Sequence, residues 1–248
     1  MKVSYLAMAG LLAMPAASET LEPIPEAASR IELRFQPLLD FDMDGCYNTA
    51  AISKHGRVNP GRMKSLTTHA RCRDKAHLTH SNAYSRKRCN NGFCAIMYEY
   101  YFEKDQSMGL SGHRHDWENI VVFTDGDKVV RVAASEEQKD HPLLVYHLPH
   151  GDLHNLRFAK QEWEAGDGPQ EAKIEEAENP FGHFYRSPLV GWDHWPNDEW
   201  RDKMVNWHGP IKPSMGDETF GKALEKAAGS FKAVPGFDPY HDDNKRWD

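Results

Sequence analysis

Long apolar segments and basic stripes are both absent from most of this sequence. After the first residues, no apolar run approaches the roughly 18 residues that a membrane-spanning helix needs. The formal net charge is −7, and lysines and arginines form no long stripe. Nucleic acid is therefore not expected as a partner, and any contact with a membrane must be made from outside.

Two motifs of known chemistry are also missing. The sequence has no Gly-x-Ser-x-Gly elbow, which argues against a covalent serine mechanism, and no Cys-x-x-Cys spacing, which is common in zinc sites. Its four cysteines are even in number, as expected for a chain that folds in an oxidising compartment. We interpret them as two disulfides; the alternative is a metal-binding thiol cluster.

Three pairings of four cysteines are formally available. The residues between Cys89 and Cys94 include Asn91-Gly92, a dipeptide that favours a tight turn and can bring the two sulfurs together. We therefore predict the disulfide Cys89–Cys94, which leaves Cys46–Cys72 as the second. Because the Cys46–Cys72 bridge closes a longer loop, it should contribute about 3 to 4 kcal/mol in the loop-entropy model.

The start of the chain is typical of a secretory signal. Lys2 precedes a short apolar run, Tyr5 to Met14, and small residues follow at Pro15 to Ser18. We interpret residues 1–18 as a signal peptide, rather than as a buried N-terminal helix, and expect a secreted, extracellular protein. Residues 19–234 are then one domain, and residues 235–248 a polar, loosely held tail.

Strand patterns dominate the middle of the chain. Aromatic and β-branched residues form short runs that are separated by turn residues such as Asp125-Gly126. The predicted strands are Ile31–Phe35, Phe93–Glu103, Ile120–Phe123, Val129–Ala133, Leu143–Leu148 and Leu153–Phe158. This pattern predicts a mainly β protein, an antiparallel β-sandwich with a few peripheral helices.

Helical patterns occur only near the end. Asn197 to Trp207 follow Pro196, and Asp217 precedes apolar residues at helical spacing, so we expect two helices that cover one side of the sandwich. The acidic segment from Lys160 to Asn179 has few apolar residues, and we predict a long surface loop there.

The segment Gly112–Glu118 concentrates charged side chains ahead of an apolar strand. If a strand begins near His115, Asp116 and Glu118 project to one face. His113 and Asp105 can converge on the same place if the residues between them form a loop. Crowded carboxylates repel one another, and a bound cation is one way to offset this repulsion. The alternative is that Arg114 pairs with an acid and His115 is a satisfied core histidine.

The result of such a convergence is an oxygen-rich site with one imidazole. Carboxylate-dominated sites suit hard cations such as Mg²⁺ or Ca²⁺, whereas zinc takes more nitrogen or sulfur. We therefore predict a divalent cation, Mg²⁺ or Ca²⁺, as the cofactor.

The same segment carries a family resemblance. Gly112–Glu118 reads GHRHDWE, which is identical to the heptapeptide of the necrosis- and ethylene-inducing-peptide-like proteins. The likeness extends through Ala95–Phe102 and Lys104–Gln106, and more weakly to Pro188–Trp192. It covers most of the chain, at least from Phe41 to Trp192.

This resemblance implies a β-sandwich like that of actinoporins and fungal lectins. It also implies a cytolysin of plant-associated microbes that binds the sugar head groups of plant glycosylinositol phosphoryl ceramide sphingolipids and damages the plasma membrane. Plant pattern-recognition receptors perceive the heptapeptide region in this family. The positions that match its cation ligands are Asp105, His113, Asp116 and Glu118.

The four-cysteine pattern resembles the family's second type, for which a further calcium site near the N-terminus is proposed. Asp40, Asp42 and Asp44, followed by Gly45, have the alternation that opens an EF-hand loop. The twelfth loop position is Ala51, where a glutamate is expected. An ordinary acidic turn is the alternative.

Three tryptophans in or near loops, Trp163, Trp192 and Trp195, are candidates for contact with a sugar or a lipid interface. Core packing is the alternative for each, and only Trp163, in its polar segment, is expected to be exposed. We therefore expect Trp163 to contact the lipid head group or the membrane.

The sequence as a whole predicts a secreted, metal-dependent cytolysin that is a monomer in solution and not an enzyme. Two alternatives remain open. One is a non-cytolytic member of the family, and the other is a metal-dependent hydrolase of glycans or glycolipids in which Glu118 or His115 acts as general base.

Overall fold

A computed structural model describes six stretches of the chain: residues 20–107, 111–133, 143–147, 153–163, 172–230 and 232–243. Side chains are described for all of them except residues 161–163, 172 and 173. The expected signal peptide, residues 1–18, lies outside the described residues. None of the helices within these stretches is both long and apolar enough to cross a bilayer.

The described residues form mostly strands. The strands are β1 (Leu38–Phe41), β2 (Ala83–Asn90), β3 (Phe93–Gln106), β4 (Gly112–Asp125), β5 (Lys128–Val132), β6 (Leu143–His147), β7 (Asn155–Phe158), β8 (Gln161–Trp163), β9 (Ala172–Ile174) and β10 (Leu189–Gly191). The helices are α1 (Arg30–Arg34), α2 (Lys75–Thr79), α3 (Asp198–Val205) and α4 (Asp217–Ala228), with a short 3₁₀ helix at Trp192–His194.

Two larger sheets contain most of the strands. One sheet has five strands in the order β10-β2-β3-β4-β5, and the other has three in the order β1-β6-β7. The pairs β10–β2 and β1–β6 are parallel, and the remaining neighbours are antiparallel. The predicted fold class, a mainly β sandwich with a few helices, is confirmed.

Both faces of the five-stranded sheet are covered. Its inner face packs against the three-stranded sheet through residues such as Tyr98, Phe102 and Tyr146. Its outer face packs under the two predicted C-terminal helices, where Phe220 and Leu224 of α4 are fully buried. As a result, every residue of β3 from Cys94 onwards is buried.

Both predicted disulfides, Cys46–Cys72 and Cys89–Cys94, are present. The second joins neighbouring residues of β2 and β3. The turn between these strands has positive φ at Asn91 (50°) and Gly92 (87°), the geometry that an Asn-Gly hairpin turn requires.

The prediction of a strand at Ile31–Phe35 was wrong, because these residues lie mostly in helix α1. Ser29 precedes the helix, and the Glu32 carboxylate accepts hydrogen bonds from both the backbone amide (3.0 Å) and the hydroxyl (2.6 Å) of Ser29. This helix-start signature outweighs the apolar alternation of Ile31, Leu33 and Phe35.

Two other segments differ from expectation. The predicted loop from Lys160 to Asn179 includes a small antiparallel hairpin of β8 and β9. The expected loose tail is held to the domain as far as residue 243. Phe237 is buried, and the Asn90 side chain donates to the carbonyls of Asp238 (2.7 Å) and His241 (2.6 Å).

Candidate cation-binding site

The β3–β4 hairpin brings three of the predicted ligands together. Asp105 of β3 is paired across the hairpin with His113 of β4, and Asp116 lies three residues further along β4. One ligand atom from each residue lies within 4.8 Å of the others. Among the described residues, no second group of three or more histidine, cysteine or acidic side chains has this arrangement.

An interruption in β4 lets His113 and Asp116 reach the same place. The two residues are three positions apart, so strict alternation would direct their side chains to opposite faces. His115, between them, has φ of 63°, which is the left-handed region. This residue breaks the alternation and redirects the strand locally.

Hydrogen bonds orient each member of the group. Asp105 accepts hydrogen bonds from the backbone amide (3.0 Å) and Nδ1 (2.6 Å) of His154, and Asp116 accepts one from the Tyr146 hydroxyl at 2.9 Å. His113 Nδ1 lies 2.9 Å from the His115 carbonyl oxygen, to which it donates. In neutral His113 this contact places the proton on Nδ1 and leaves the lone pair of Nε2 for a ligand.

Burial and crowding disfavour the charged forms of the acids. Asp116 is 3% exposed, and burial followed by the charge of Asp105 raises its pKa to about 6. For Glu118, burial followed by the charges of Asp116 and Asp105 raises the pKa to about 9. A bound cation would relieve this repulsion and favour the ionised carboxylates.

The donor atoms present fit a hard divalent cation. Two carboxylates and one imidazole with a free Nε2 are an oxygen-rich set, which suits Mg²⁺ or Ca²⁺ better than a thiolate-seeking metal. Glu118 lies outside the group of three, although the charges of that group affect its pKa. Its part in cation binding stays a prediction.

His154 belongs to this site, and no local sequence pattern indicated it. It lies 49 residues from Asp105 in the chain, in the segment just before β7. Its Nε2 lies 3.6 Å from an Asp44 carboxylate oxygen. Only the packing of the two sheets brings this imidazole to Asp105, so no local spacing could have identified it.

The three acids of the predicted second calcium site have separate partners. Asp40 accepts hydrogen bonds from the Glu178 amide (2.9 Å) and the Asn179 side chain (2.9 Å), and Asp42 pairs with Arg157 at 3.2 Å. Asp44 faces His154 instead. This arrangement favours the alternative interpretation, an acidic turn held by its neighbours.

The other heptapeptide residues face a different environment. Tyr101 and His115 are joined by a hydrogen bond of 2.8 Å between the hydroxyl and Nδ1, and the His115 ring meets Trp207 edge-on. Burial, and then the charge of Arg114, lowers the pKa of His115 to about 4. Arg114 donates to the Pro60 carbonyl. His115 is therefore a packed, neutral histidine.

Two of the three candidate tryptophans, Trp192 and Trp195, pack against neighbouring side chains. The Trp163 side chain lies outside the described side chains. Trp192 is partly buried and stacks under Arg86, whose guanidinium carbon lies 3.9 Å from the ring centroid. Trp195 is also partly buried and stacks on Tyr84, with ring centroids 5.5 Å apart.

Comparisons with known proteins agree with this fold. The family model described as Necrosis inducing protein (NPP1) matches residues 29–227. NLP effector protein 10 of Phytophthora capsici is 32% identical over 142 residues, which are 56% of this chain and 59% of the relative. Necrosis-inducing protein NPP1 of Phytophthora nicotianae is 34% identical over 97 residues, 39% of this chain and 40% of that protein. These matches therefore span less than two thirds of either relative.

Solved structures extend the likeness over most of the chain. The non-toxic HaNLP3 protein is 26% identical with a TM-score of 0.66, and the match covers 86% of this chain and 98% of that one. NLPPya in complex with glucosamine is 25% identical with a TM-score of 0.62, covering 84% and 95%. Since the family model matches most of the sequence, the chain belongs to the family of necrosis inducing proteins (NPP1).

Proposed function

We propose that this protein is a secreted cytolysin that uses a divalent cation to bind sugar head groups of plant glycosylinositol phosphoryl ceramide and then damages the plasma membrane. The observation that carries the proposal is the convergence of Asp105, His113 and Asp116 within 4.8 Å, at the end of the hairpin that contains the heptapeptide. Two intact disulfides support an extracellular location.

The chain's own residues organise this site. Asp105, His113 and Asp116 would hold the cation, with Glu118 as a fourth ligand. His154 and Tyr146 fix the two aspartates by hydrogen bonds, so the carboxylates need little reordering when a ligand arrives. A bound Mg²⁺ or Ca²⁺ would coordinate sugar hydroxyls directly, which would give recognition without bond cleavage.

Similar proteins support a sugar as the ligand. NLPPya has been solved with glucosamine and with mannosamine, and each match covers 84% of this chain and 95% of that one. The second is 26% identical with a TM-score of 0.63. Amino sugars share with glycolipid head groups the vicinal hydroxyl groups that a hard cation binds.

The test is the substitution Asp116→Asn, which keeps the size of the side chain and removes its charge. We expect cation binding, measured by calorimetry, and dye leakage from vesicles of plant glycosylinositol phosphoryl ceramide to be lost together. Asp202→Asn, an exposed change on α3, is the matched control and should leave both unchanged. Undiminished leakage by Asp116→Asn would refute the proposal.

The same experiment separates binding from catalysis. A cytolysin leaves the lipid intact, so mass spectrometry of the vesicles after leakage should find no soluble head-group product. Release of such a product would favour the metal-dependent hydrolase instead.

A non-cytolytic relative is the second candidate, and the likeness to the non-toxic HaNLP3 protein favours it. Infiltration of purified protein into leaves of several eudicots and monocots distinguishes the two. Necrosis supports the cytolysin, whereas perception of the heptapeptide region by plant receptors without necrosis supports the non-cytolytic form. We propose that the protein acts as a monomer in solution and does not bind nucleic acid.

A further inference from the structure

One part of this acidic protein has only positive charges. The chain carries a formal net charge of −7, yet the sequence between Asp44 and Asp74 contains no acidic residue and six lysines and arginines. Such a local excess of positive charge persists against the overall charge and attracts anions at short range.

Residues 61–71, which we name the basic loop, surround a cavity of about 660 Å³. The basic side chains Arg62, Lys64 and Arg71 line it together with the hydroxyl-bearing Ser65 and Thr67. Guanidinium, ammonium and hydroxyl groups around one depression are the donors that bind phosphate oxygens.

Two of the three basic side chains at this cavity have no acidic partner among the described residues, whereas Arg62 pairs with the Glu103 carboxylate. Lys64 donates to the carbonyl oxygen of Gly112 (3.0 Å), and Arg71 has no acidic partner among those residues. Among the described residues, the fully buried Lys104 side chain beneath the loop donates to uncharged oxygens, of Ser65 (3.3 Å), Thr67 (3.4 Å) and Gln106 (3.2 Å). A cation held without a counter-ion favours a nearby anion.

Apolar side chains project beside these charges. Leu66 is 96% exposed and Met63 is 74% exposed, and both line the same cavity. Exposing such side chains to water is unfavourable, and apolar groups beside lysine and arginine are typical of surfaces that enter the head-group region of a bilayer. The apolar and basic groups together indicate a lipid surface as the partner.

The basic loop lies next to the candidate cation site. Lys64 contacts Gly112, the residue before His113, and the Ser65 amide donates to the Gln106 side chain at 3.0 Å, next to Asp105. A lipid whose phosphate binds the loop would therefore have its head group close to the cation site.

We propose that the basic loop is a binding site for the phosphate groups of anionic membrane lipids, with Met63 and Leu66 entering the interface. This site adds a second membrane contact to the proposed function, and it does not require a loaded cation site. The basic-loop proposal and the proposed function can therefore be refuted independently of each other.

The test measures binding to vesicles of phosphatidylcholine with and without phosphatidic acid, in the presence of EDTA and without glycolipid. We expect the unmodified protein to bind only the anionic vesicles. The variant Lys64→Glu/Arg71→Glu should bind them at least about tenfold more weakly, since each basic residue near an anionic surface contributes several-fold. The variant Met63→Ser/Leu66→Ser should also bind more weakly, although its charge is unchanged.

The matched control is Lys222→Glu/Lys226→Glu, which makes the same change in net charge on exposed positions of α4. Equal weakening by the control and by the loop variant would overturn the proposal, because net charge alone would then explain binding. Thermal unfolding of each variant checks that the fold is retained. Stabilisation against thermal unfolding by inorganic phosphate, without binding to anionic vesicles, would also overturn the proposal. The site would then bind free phosphate and not a lipid.

Discussion

The hydroxyl of Tyr146 donates a hydrogen bond of 2.9 Å to the carboxylate of Asp116, although the two residues come from opposite sheets of the sandwich. Tyr146 lies on β6 and Asp116 on β4, and the Tyr146 ring also stacks on Phe102 with centroids 3.8 Å apart. The position of one proposed ligand therefore depends on the packing of the two sheets.

Removing this hydroxyl tests its contribution to cation binding. Tyr146→Phe keeps the stacking on Phe102 and removes only the hydrogen bond that holds Asp116 in place. We expect cation affinity, measured by calorimetry, to fall about tenfold or more, with little loss of stability. Tyr185→Phe, which removes a hydrogen bond to the Leu78 carbonyl away from the site, should not change cation affinity. Equal affinities of Tyr146→Phe and the unmodified protein would contradict the orienting role.

His154 orients the other aspartate, Asp105, and its loss should weaken cation binding as much as the loss of the Tyr146 hydroxyl. His154→Ala removes the Nδ1 donor that lies 2.6 Å from Asp105. We expect cation affinity to fall roughly 10- to 100-fold, because residues that orient a metal ligand typically contribute this much. His183→Ala, an exposed histidine, is the control for loss of an imidazole. A cation affinity unchanged by His154→Ala would count against the site as described.

Glu99 should make stability depend on pH. It is fully buried, and burial raises its pKa from 4.5 to about 8, although the Ser214 amide donates to it at 2.5 Å. Since the folded chain then binds the extra proton between these values, stability falls as pH rises from about 5 to about 8. Glu99→Gln removes this loss, so its free energy of unfolding should gain up to about 1.4 kcal/mol per pH unit relative to the unmodified protein.

Denaturant unfolding of both proteins across that pH range, in EDTA, measures the difference. The EDTA keeps cation binding from changing the ionisation of Asp116 and Glu118, and both proteins share those groups. A constant difference in unfolding free energy between pH 5 and pH 8 would show that Glu99 does not titrate in this window.

The two disulfides should differ in their contribution to stability. Cys46 and Cys72 are 26 residues apart, whereas Cys89 and Cys94 are 5 apart. The loop-entropy model gives about 3.5 kcal/mol for the first bridge and about 2 kcal/mol for the second, because the longer loop restricts the unfolded chain more. Denaturant unfolding of Cys46→Ser/Cys72→Ser and Cys89→Ser/Cys94→Ser compares them. A larger loss for the second pair would show that native contacts outweigh loop entropy here.

Local patterns predicted the part of the fold that local chemistry decides. The strands β3 and β4, the Asn91-Gly92 turn and helix α4 all follow from periodicity and turn residues nearby. Contacts between distant segments were not predictable in this way. The parallel pairing of β1 with β6, for example, joins Leu39 to Leu144 across most of the domain.

The same distinction between local patterns and distant contacts applies to the candidate site. Asp105, His113 and Asp116 share one hairpin, so the loop expected between Asp105 and His113 and the family resemblance together indicated them. Their orienting partners Tyr146 and His154 come from the other side of the sandwich, and no spacing relates them to the hairpin. Strict alternation also could not anticipate the left-handed residue within β4.

Burial of two residues of the heptapeptide limits how another molecule can bind this segment. Asp116 is 3% exposed and Trp117 is 5% exposed, and both are fixed inside layers of the folded domain. A receptor that bound this segment as an extended peptide and contacted the Asp116 and Trp117 side chains could not reach them in the folded domain. Detection of that kind would require the segment to unfold or to be cleaved from the protein first.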